Sequence, residues 1–134
     1  MSVAEEVASA TSAGRRKQYL LFAVGDIRCY VELTRLNSVV PWATLLPAEE
    51  DAVIGWLNYR GNRVPVIDMA KQVLGEETSR TLGSRILLLE CSGRQVGALV
   101  SEAFAIGTEE DIATSGMERL DPCEVLTSAI ARLP

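Results

Sequence analysis

The chain has 134 residues, of which 48% are hydrophobic and 23% charged, a composition typical of a folded domain. Its net charge of -5 argues against a protein that grips nucleic-acid phosphates. It contains no histidine, which removes the usual general acid–base group and the usual nitrogen ligand of metals, so the composition gives no support to hydrolase or zinc chemistry.

The cysteines and the N-terminus indicate the cellular compartment. Cys29, Cys91 and Cys123 are odd in number and widely spaced, so they suggest neither a metal pair nor a disulfide framework. We therefore expect small buried thiols in a reducing cytoplasm. The N-terminus lacks the apolar core of a signal peptide, and no run is long enough to span a membrane. The sequence predicts a cytoplasmic, soluble protein with no cofactor and no metal.

The first 17 residues differ in composition from the rest of the chain. They are rich in Ala, Ser, Thr and Glu and end in a basic cluster, Arg15-Arg16-Lys17. This segment offers too little apolar surface to offset the conformational entropy lost on ordering it. We predict a disordered tail over residues 1–17 and one folded domain over residues 18–134.

Three short strands are predicted next. Tyr19–Val24 and Ile27–Val31 flank Gly25-Asp26, a glycine-first pair typical of a tight hairpin turn. A third apolar run, Leu36–Val40, stops at a proline, which cannot donate to a sheet ladder. Residues 42–52 carry another proline and an acidic run, which predicts a loop.

A hairpin is predicted at the centre of the chain. Two apolar runs within residues 53–68 flank Gly61-Asn62, which predicts strand, turn, strand. Arg60 and Arg63 straddle this turn, so their guanidinium groups should face water or a partner. Pro65 lies inside the second strand and predicts an edge strand or a bulge.

Further elements follow the central hairpin. Asp68 is a predicted N-cap for a short helix, Met69–Leu74, which should end at Gly75. After a polar loop, residues 85–100 predict a second hairpin around a Ser-Gly turn, and residues 103–106 predict a short strand.

The C-terminal part changes character. The acidic run Glu109–Asp111 predicts an open loop. Asp121-Pro122-Cys123-Glu124 has the residues of a helix start, with Asp as N-cap, Pro first and Glu third. Apolar residues then recur at helical spacing, which predicts a C-terminal amphipathic helix of about three turns. Hairpins with little helix between them indicate an all-β barrel or sandwich.

The residues give no catalytic arrangement. The acidic runs lie in predicted loops, the cysteines have no activating base, and no glycine-rich loop precedes a Lys-Ser or Lys-Thr pair. We therefore predict that the chain is not an enzyme. An Arg-Gly tip beside an edge strand favours protein recognition, because arginine and aromatic side chains often anchor interfaces.

The central stretch also resembles a known family. Gly55-x-x-Asn58-x-Arg60-Gly61-x-x-Val64-Pro65-Val66-Ile67-Asp68 is similar to the signature of the CheW family, the adaptors of bacterial chemosensory arrays. The resemblance implies two intertwined, five-stranded, SH3-like barrels and no enzymatic activity. It also implies a bridge between the chemoreceptor signalling tip, docked between the barrels, and the regulatory domain of a CheA-type histidine kinase.

The resemblance also implies site residues. Members of the family often carry a glutamate in the third strand that can pair with the arginine of the Arg-Gly turn, and Ser38 stands at that place here. The candidate partner-binding residues are Ser38, Asn58, Arg60, Gly61, Val64 and Val66.

The chain departs from the family pattern after the matched region. Two further apolar strands usually precede the closing helix, whereas only about nine residues separate Asp111 from Leu120. Either the second barrel is incomplete and exposes an edge suited to self-association, or residues 112–117 supply the strand. Two alternative functions remain: a nucleic-acid-binding small barrel, which conflicts with the charge, and a self-assembling family member without kinase coupling.

Overall fold

The computed structural model describes residues 17–48 and 53–131. The predicted disordered tail, apart from Lys17, lies outside these residues. In chain order the described strands are β1 (Tyr19–Val24), β2 (Ile27–Glu32), β3 (Leu36–Pro41), β4 (Gly55–Tyr59), β5 (Asn62–Asp68), β6 (Arg85–Cys91), β7 (Arg94–Val100), β8 (Glu102–Gly107) and β9 (Glu118–Arg119). The described α-helices are α1 (Met69–Leu74), α2 (Glu109–Ser115) and α3 (Pro122–Ala131), and a single 3-10 turn spans Leu33–Arg35.

These strands form two sheets. One has five strands in the order β3-β6-β7-β5-β4, and Leu46, in the loop after β3, bridges to Trp56 on β4. The other has four strands in the order β8-β1-β2-β9, in which β9 is only two residues long. The all-β prediction of two small barrels is confirmed, and the second barrel is the incomplete one.

Two hydrophobic clusters hold the sheets together. The larger cluster joins both sheets to α1 and α3, through side chains that include Phe22, Leu87, Met69 and Leu126. The smaller cluster lies within the five-stranded sheet and consists of Leu57, Val64, Val66, Ile86, Leu88 and Leu99. Burial of these aliphatic side chains is the main source of stability in a domain of this size.

The predicted helix caps are confirmed. The Asp68 carboxylate accepts hydrogen bonds from the backbone nitrogens of Ala70 and Lys71 at the start of α1, and Gly75 ends that helix with a left-handed φ of 75°. Asp121 precedes α3, and its carboxylate accepts from the backbone nitrogen of Cys123 over 2.9 Å. Local side-chain chemistry therefore fixes both helix starts.

The central turn lies one residue earlier than predicted. Tyr59 pairs with Asn62, so the two turn residues are Arg60 and Gly61, with φ values of 51° and 81°. A two-residue turn with positive φ at both positions matches the right-handed twist of the flanking strands. Gly61 occupies the second turn position, where glycine adopts the positive φ without cost.

Pro65 lies in the first part of β5, which among the described strands pairs only with β4, so the predicted unpaired side is present there. As a whole, however, β5 is not an edge strand. β5 lies between β4 and β7. Its parallel pairing with β7 begins at Val66, just after the proline, so the missing proline N–H is not needed in that ladder.

The acidic run at Glu109–Asp111 is not a loop, because it forms the first turn of α2. Thr108 and Asp111 make a reciprocal capping box, and carboxylates are favourable at the positive end of a helix. Gly116 ends the helix with a φ of 65°. Residues 112–115 are therefore helical, and the segment 112–117 does not supply the missing strand.

The cysteine prediction was also wrong for two of the three thiols. Cys91 and Cys123 form a disulfide, because the fold brings the end of β6 and the first turn of α3 within a Cα–Cα distance of 5.4 Å. Their separation of 32 residues gave no local signal of this contact. Cys29 is the buried thiol that the sequence predicted. In the part of the chain that the structure describes, no helix is long and apolar enough to cross a membrane.

Candidate protein-interaction surface

The β4–β5 hairpin separates core side chains from surface ones by strand alternation. Leu57 and Val64 lie opposite each other and are buried, whereas the next pair, Asn58 and Arg63, is exposed. Trp56, two residues before Asn58, is half-buried on the same outer face. The hairpin thus presents a polar and aromatic face outside the five-stranded sheet.

Arg60 is at the tip of this hairpin. Its backbone is in the left-handed region, and its exposed guanidinium lies 5.2 Å from the ring centroid of the preceding Tyr59. This distance is within the range of a cation–π interaction. Gly61 completes the turn, and a Cβ added there would meet nothing within 4 Å. The turn therefore presents an arginine that is oriented by an aromatic ring and open to a partner.

Two arginine–tryptophan pairs lie at the five-stranded sheet, one on the β4–β5 hairpin and one formed by loop residues. The Arg63 guanidinium is 5.1 Å from the ring centroid of Trp56, across the β4–β5 pair, and the Arg80 guanidinium is 5.3 Å from that of Trp42. Leu46, which exchanges two backbone hydrogen bonds with Trp56, is 48% exposed. Exposed arginine, tryptophan and leucine are side chains that can anchor a protein interface.

The arginines of these pairs and of the hairpin tip make no ion pair with another described residue. Among residues 17–48 and 53–131, the ion pairs are Lys17–Glu32 and Arg35–Asp121, and both lie away from the hairpin. Arg60, Arg63 and Arg80 therefore have no ion-pair partner within the described residues. The hairpin tip carries positive charge on a chain whose net charge is -5.

The structure divides the predicted site residues into three groups. Asn58, Arg60 and Gly61 are exposed at the hairpin, whereas Val64 and Val66 are buried in the smaller cluster and support the hairpin from inside. Ser38 forms the third group. It is half-buried on β3, next to a bulge, and β3 and β4 are the two end strands of the five-stranded sheet. Within the described residues, no ion pair of the type that a glutamate would make joins position 38 to Arg60.

The arginine–tryptophan pairs were missed at the sequence level. Strand alternation places Trp56 and Arg63 on one face, which is a signal that the sequence contains. Arg80 and Trp42 come from separate loops, so only the tertiary fold brings them together.

A concave surface lies at the four-stranded sheet. A cavity of about 380 Å³ is lined by Val31, Glu32, Arg35, Arg119, Asp121 and Glu124. Its charges largely compensate each other, since Arg35 pairs with Asp121 over 3.1 Å. Within the described ranges, no group of three or more His, Cys, Asp or Glu side chains is arranged to hold a metal ion.

The fold agrees with the comparisons to known proteins. The family model of the CheW-like domain matches residues 18–116, which is most of the chain. The chain belongs to the CheW family. The match ends before β9 and α3, so the C-terminal elements lie beyond the matched CheW-like region.

Two CheW proteins of known name are similar along most of this chain. Chemotaxis protein CheW of Bacillus subtilis (strain 168) is 29% identical over 109 residues, which cover 77% of this chain and 70% of that protein. Chemotaxis protein CheW of Rhizobium meliloti (strain 1021) is 28% identical over 103 residues, which cover 75% of this chain and 65% of that protein.

A solved CheW structure has the same fold. The crystal structure of the scaffolding protein TtCheW from Thermoanaerobacter tengcongensis superposes with a TM-score of 0.62 at 22% identity. The superposition covers 69% of this chain and 62% of that one. This chain therefore shares the two-sheet CheW architecture over a part of the length of that protein.

Proposed function

We propose that the chain is a non-enzymatic adaptor that couples methyl-accepting chemoreceptors to a CheA-type histidine kinase. The observation that carries the proposal is the match of residues 18–116 to the CheW-like domain. The similar proteins from B. subtilis and R. meliloti are chemotaxis proteins by name, and the similar solved structure is that of a scaffolding protein. In this role the protein works in the cytoplasm and transmits receptor state by contact alone.

The hairpin tip supports the receptor-binding half of this proposal. Arg60 is exposed, lies over Tyr59 and has no ion-pair partner within residues 17–48 and 53–131. An exposed guanidinium held by a ring loses little conformational freedom when it binds a carboxylate. Asn58 and Gly61 complete the contact surface, and the buried Val64 and Val66 keep its shape.

The test is a titration of the purified full chain against two partners. One is the regulatory domain of the CheA-type kinase of the host, and the other is a soluble receptor signalling tip. Arg60→Glu should weaken binding of the receptor tip by about a hundredfold or more, because it replaces an attraction with a repulsion. Binding of neither partner by folded wild-type protein would refute the adaptor function.

A matched control is available on the other sheet. The guanidinium of Arg28 lies 4.9 Å from the ring centroid of Phe104, so it has the same chemistry as Arg60 without being at the hairpin. Arg28→Glu should leave the affinity for the receptor tip unchanged. Equal losses in the Arg28→Glu and Arg60→Glu variants would show a general effect of charge and contradict the assigned site.

Self-association is a second candidate function, favoured by the edge of the four-stranded sheet. Among the described strands, β8 pairs only with β1, so its other side is unpaired there. An unpaired strand edge is a template for a strand of another chain. Ala105 is exposed on β8, and Ala105→Lys should shift the protein towards monomer in sedimentation experiments over a range of concentrations. A wild type that is monomeric at all concentrations would exclude this candidate.

A further inference from the structure

The disulfide joins strand β6 to the C-terminal helix α3 through two cysteines that are 32 residues apart in the sequence. Cys91 is the final residue of β6 in the five-stranded sheet, and Cys123 is the second residue of α3. Their Cα atoms are 5.4 Å apart, which is within the range that a disulfide bridges without backbone movement. The covalent bond therefore links the C-terminal helix directly to a central strand.

Helix α3 closes one side of the larger hydrophobic cluster. Leu126 and Ala129 are fully buried in that cluster, together with side chains of both sheets and of α1. Departure of α3 would expose this part of the core to water. The position of the helix is therefore coupled to the packing between the sheets.

The other ties at the start of α3 are weaker than a covalent bond. Arg35 donates to the Asp121 carboxylate over 3.1 Å, and half of the Arg35 side chain is exposed. The backbone nitrogen of Leu120 donates to the Tyr30 carbonyl over 3.0 Å. Partly exposed ion pairs contribute little to stability, so the disulfide is the strongest single constraint on this end of the helix.

The three cysteines differ in their access to solvent. Cys91 is 4% exposed, whereas Cys123 is half-buried and is the more accessible sulfur of the pair. Cys29 is fully buried, and burial, followed by the charge of Glu118, raises the pKa of its thiol to about 11. At neutral pH the Cys29 thiol stays protonated and unreactive, so it does not compete in exchange with the pair.

We propose that Cys91 and Cys123 are a thiol–disulfide switch that fastens α3 to the core when oxidised and releases it when reduced. The oxidant is a low-molecular-weight disulfide of the glutathione type. The Cys123 thiolate attacks one of its sulfurs and releases one small thiol, which leaves a mixed disulfide on Cys123. The Cys91 thiolate then attacks the Cys123 sulfur and releases the second small thiol, each protein thiol having lost its proton to solvent. Two protein thiols are oxidised, and one small disulfide is reduced to two thiols.

This switch goes beyond the adaptor function and does not depend on it. Cys123 and α3 lie after residue 116, where the match to the CheW-like domain ends. In the reduced protein, α3 is held only by non-covalent contacts, which include the burial of Leu126 and Ala129 and the Arg35–Asp121 pair. The helix then opens more often, because the chain between the two sulfurs regains its freedom in the open state.

The first experiment measures the bond itself. The full chain is equilibrated in glutathione buffers of increasing oxidised fraction, free thiols are alkylated, and the protein is digested and analysed by mass spectrometry. We expect the Cys91 and Cys123 peptides to be linked in oxidising buffer and separate in reducing buffer, in wild type and in Cys29→Ala alike. Free Cys91 and Cys123 in oxidising buffer, a link to Cys29, or a bond that survives buffer dominated by reduced glutathione would each overturn the switch.

The second experiment measures the helix. Amide hydrogen exchange of residues 122–131 should become about tenfold faster or more when the wild type is reduced. Cys29→Ala should show the same response. Cys123→Ser should exchange at the reduced rate in both buffers, and circular dichroism checks that it remains folded. Equal exchange of oxidised and reduced wild type would refute the release of α3 even where the bond forms.

Discussion

The hydroxyl of Thr78 donates to the carboxylate of Asp68 over 2.5 Å, and the Thr78 backbone nitrogen donates to the same group over 2.8 Å. Asp68 is 2% exposed and also caps α1 through Ala70 and Lys71. One buried carboxylate at the end of the motif strand therefore joins β5, the first turn of α1 and the loop after that helix. The aspartate of the family motif is a structural residue in this chain.

Replacement of Asp68 should destabilise the fold. Asp68→Ala leaves the Thr78 hydroxyl and three backbone nitrogens without their acceptor, so we expect a loss of about 3 kcal/mol in the free energy of unfolding. Thr78→Val, which removes only the hydroxyl, should cost about 1 kcal/mol. Asp26→Ala, in the exposed turn after β1, is the matched control and should cost less than about 0.5 kcal/mol. Urea unfolding measures all three, and equal losses for Asp68→Ala and Asp26→Ala would contradict the role of the carboxylate.

Elements that depend on local chemistry could be predicted from the sequence. Each predicted helix end depends on contacts between residues that are at most one helical turn apart. The Asp68 cap, the Gly75 helix end and the Asp121-Pro122 helix start are all present. The strands were also predictable, since their apolar runs are bounded by turn residues.

The wrong predictions have two kinds of cause. Either a second local signal outweighed the one that was used, or the feature depends on residues that are distant in sequence. The acidic run before Gly116 resembles a loop, but the capping pair Thr108 and Asp111 makes it a helix. Pro65 indicates an edge strand, and its part of β5 does lack a second partner, but β7 joins from Val66 onwards and makes β5 an inner strand. The Cys91–Cys123 bond and the Arg80–Trp42 pair join segments distant in sequence, and only the completed fold brings them together.

Gly97 should tolerate no side chain. A Cβ at this position on β7 would lie 2.8 Å from Ile86 Cγ2 and 3.2 Å from Val66 Cγ2, both of them in the buried smaller cluster. Gly97→Ala should therefore cost about 1–3 kcal/mol through overpacking, measured by urea unfolding. Gly83→Ala is the control, because a Cβ there would meet only the Thr81 hydroxyl at 3.6 Å. If Gly97→Ala leaves the free energy of unfolding unchanged, the side chains of Ile86 and Val66 can move to make room for the added methyl group.

Cys29 should make the protein lose stability in alkali. Its folded pKa of about 11 is above the ordinary value of 9.0, and burial is the main cause. The unfolded chain therefore releases this proton first, so the stabilisation is complete below pH 9 and is lost as the pH rises towards 11.

Comparison of wild type with Cys29→Ala isolates this contribution. Between about pH 8 and about pH 10, the wild type should lose about 1 kcal/mol more of its free energy of unfolding than the variant does. Other groups that titrate in alkali are common to both proteins and cancel in the difference. Parallel pH profiles would show that the Cys29 thiol is not desolvated.

Arg60 combines an unfavourable backbone conformation with the role in binding that we propose for it. Its φ of 51° and the φ of 81° at Gly61 define a turn in which asparagine is preferred at the first position. The turn between β6 and β7 has the same form, since Ser92 and Gly93 have φ values of 54° and 77°. Among the described residues these two turns are equivalent in backbone form, and only the β4–β5 turn has an arginine at its first left-handed position.

These two turns allow stability and binding to be separated. Arg60→Asn and Ser92→Asn should each raise the free energy of unfolding by about 0.5–1 kcal/mol, because asparagine adopts the left-handed conformation more readily. Only Arg60→Asn should weaken binding of the receptor tip, by about tenfold or more, because it alone removes a guanidinium from the hairpin. Urea unfolding and titration of the same samples measure both quantities. If Arg60→Asn binds as tightly as Ser92→Asn, the arginine is only a turn residue, and the receptor contact must lie elsewhere on the CheW-like domain.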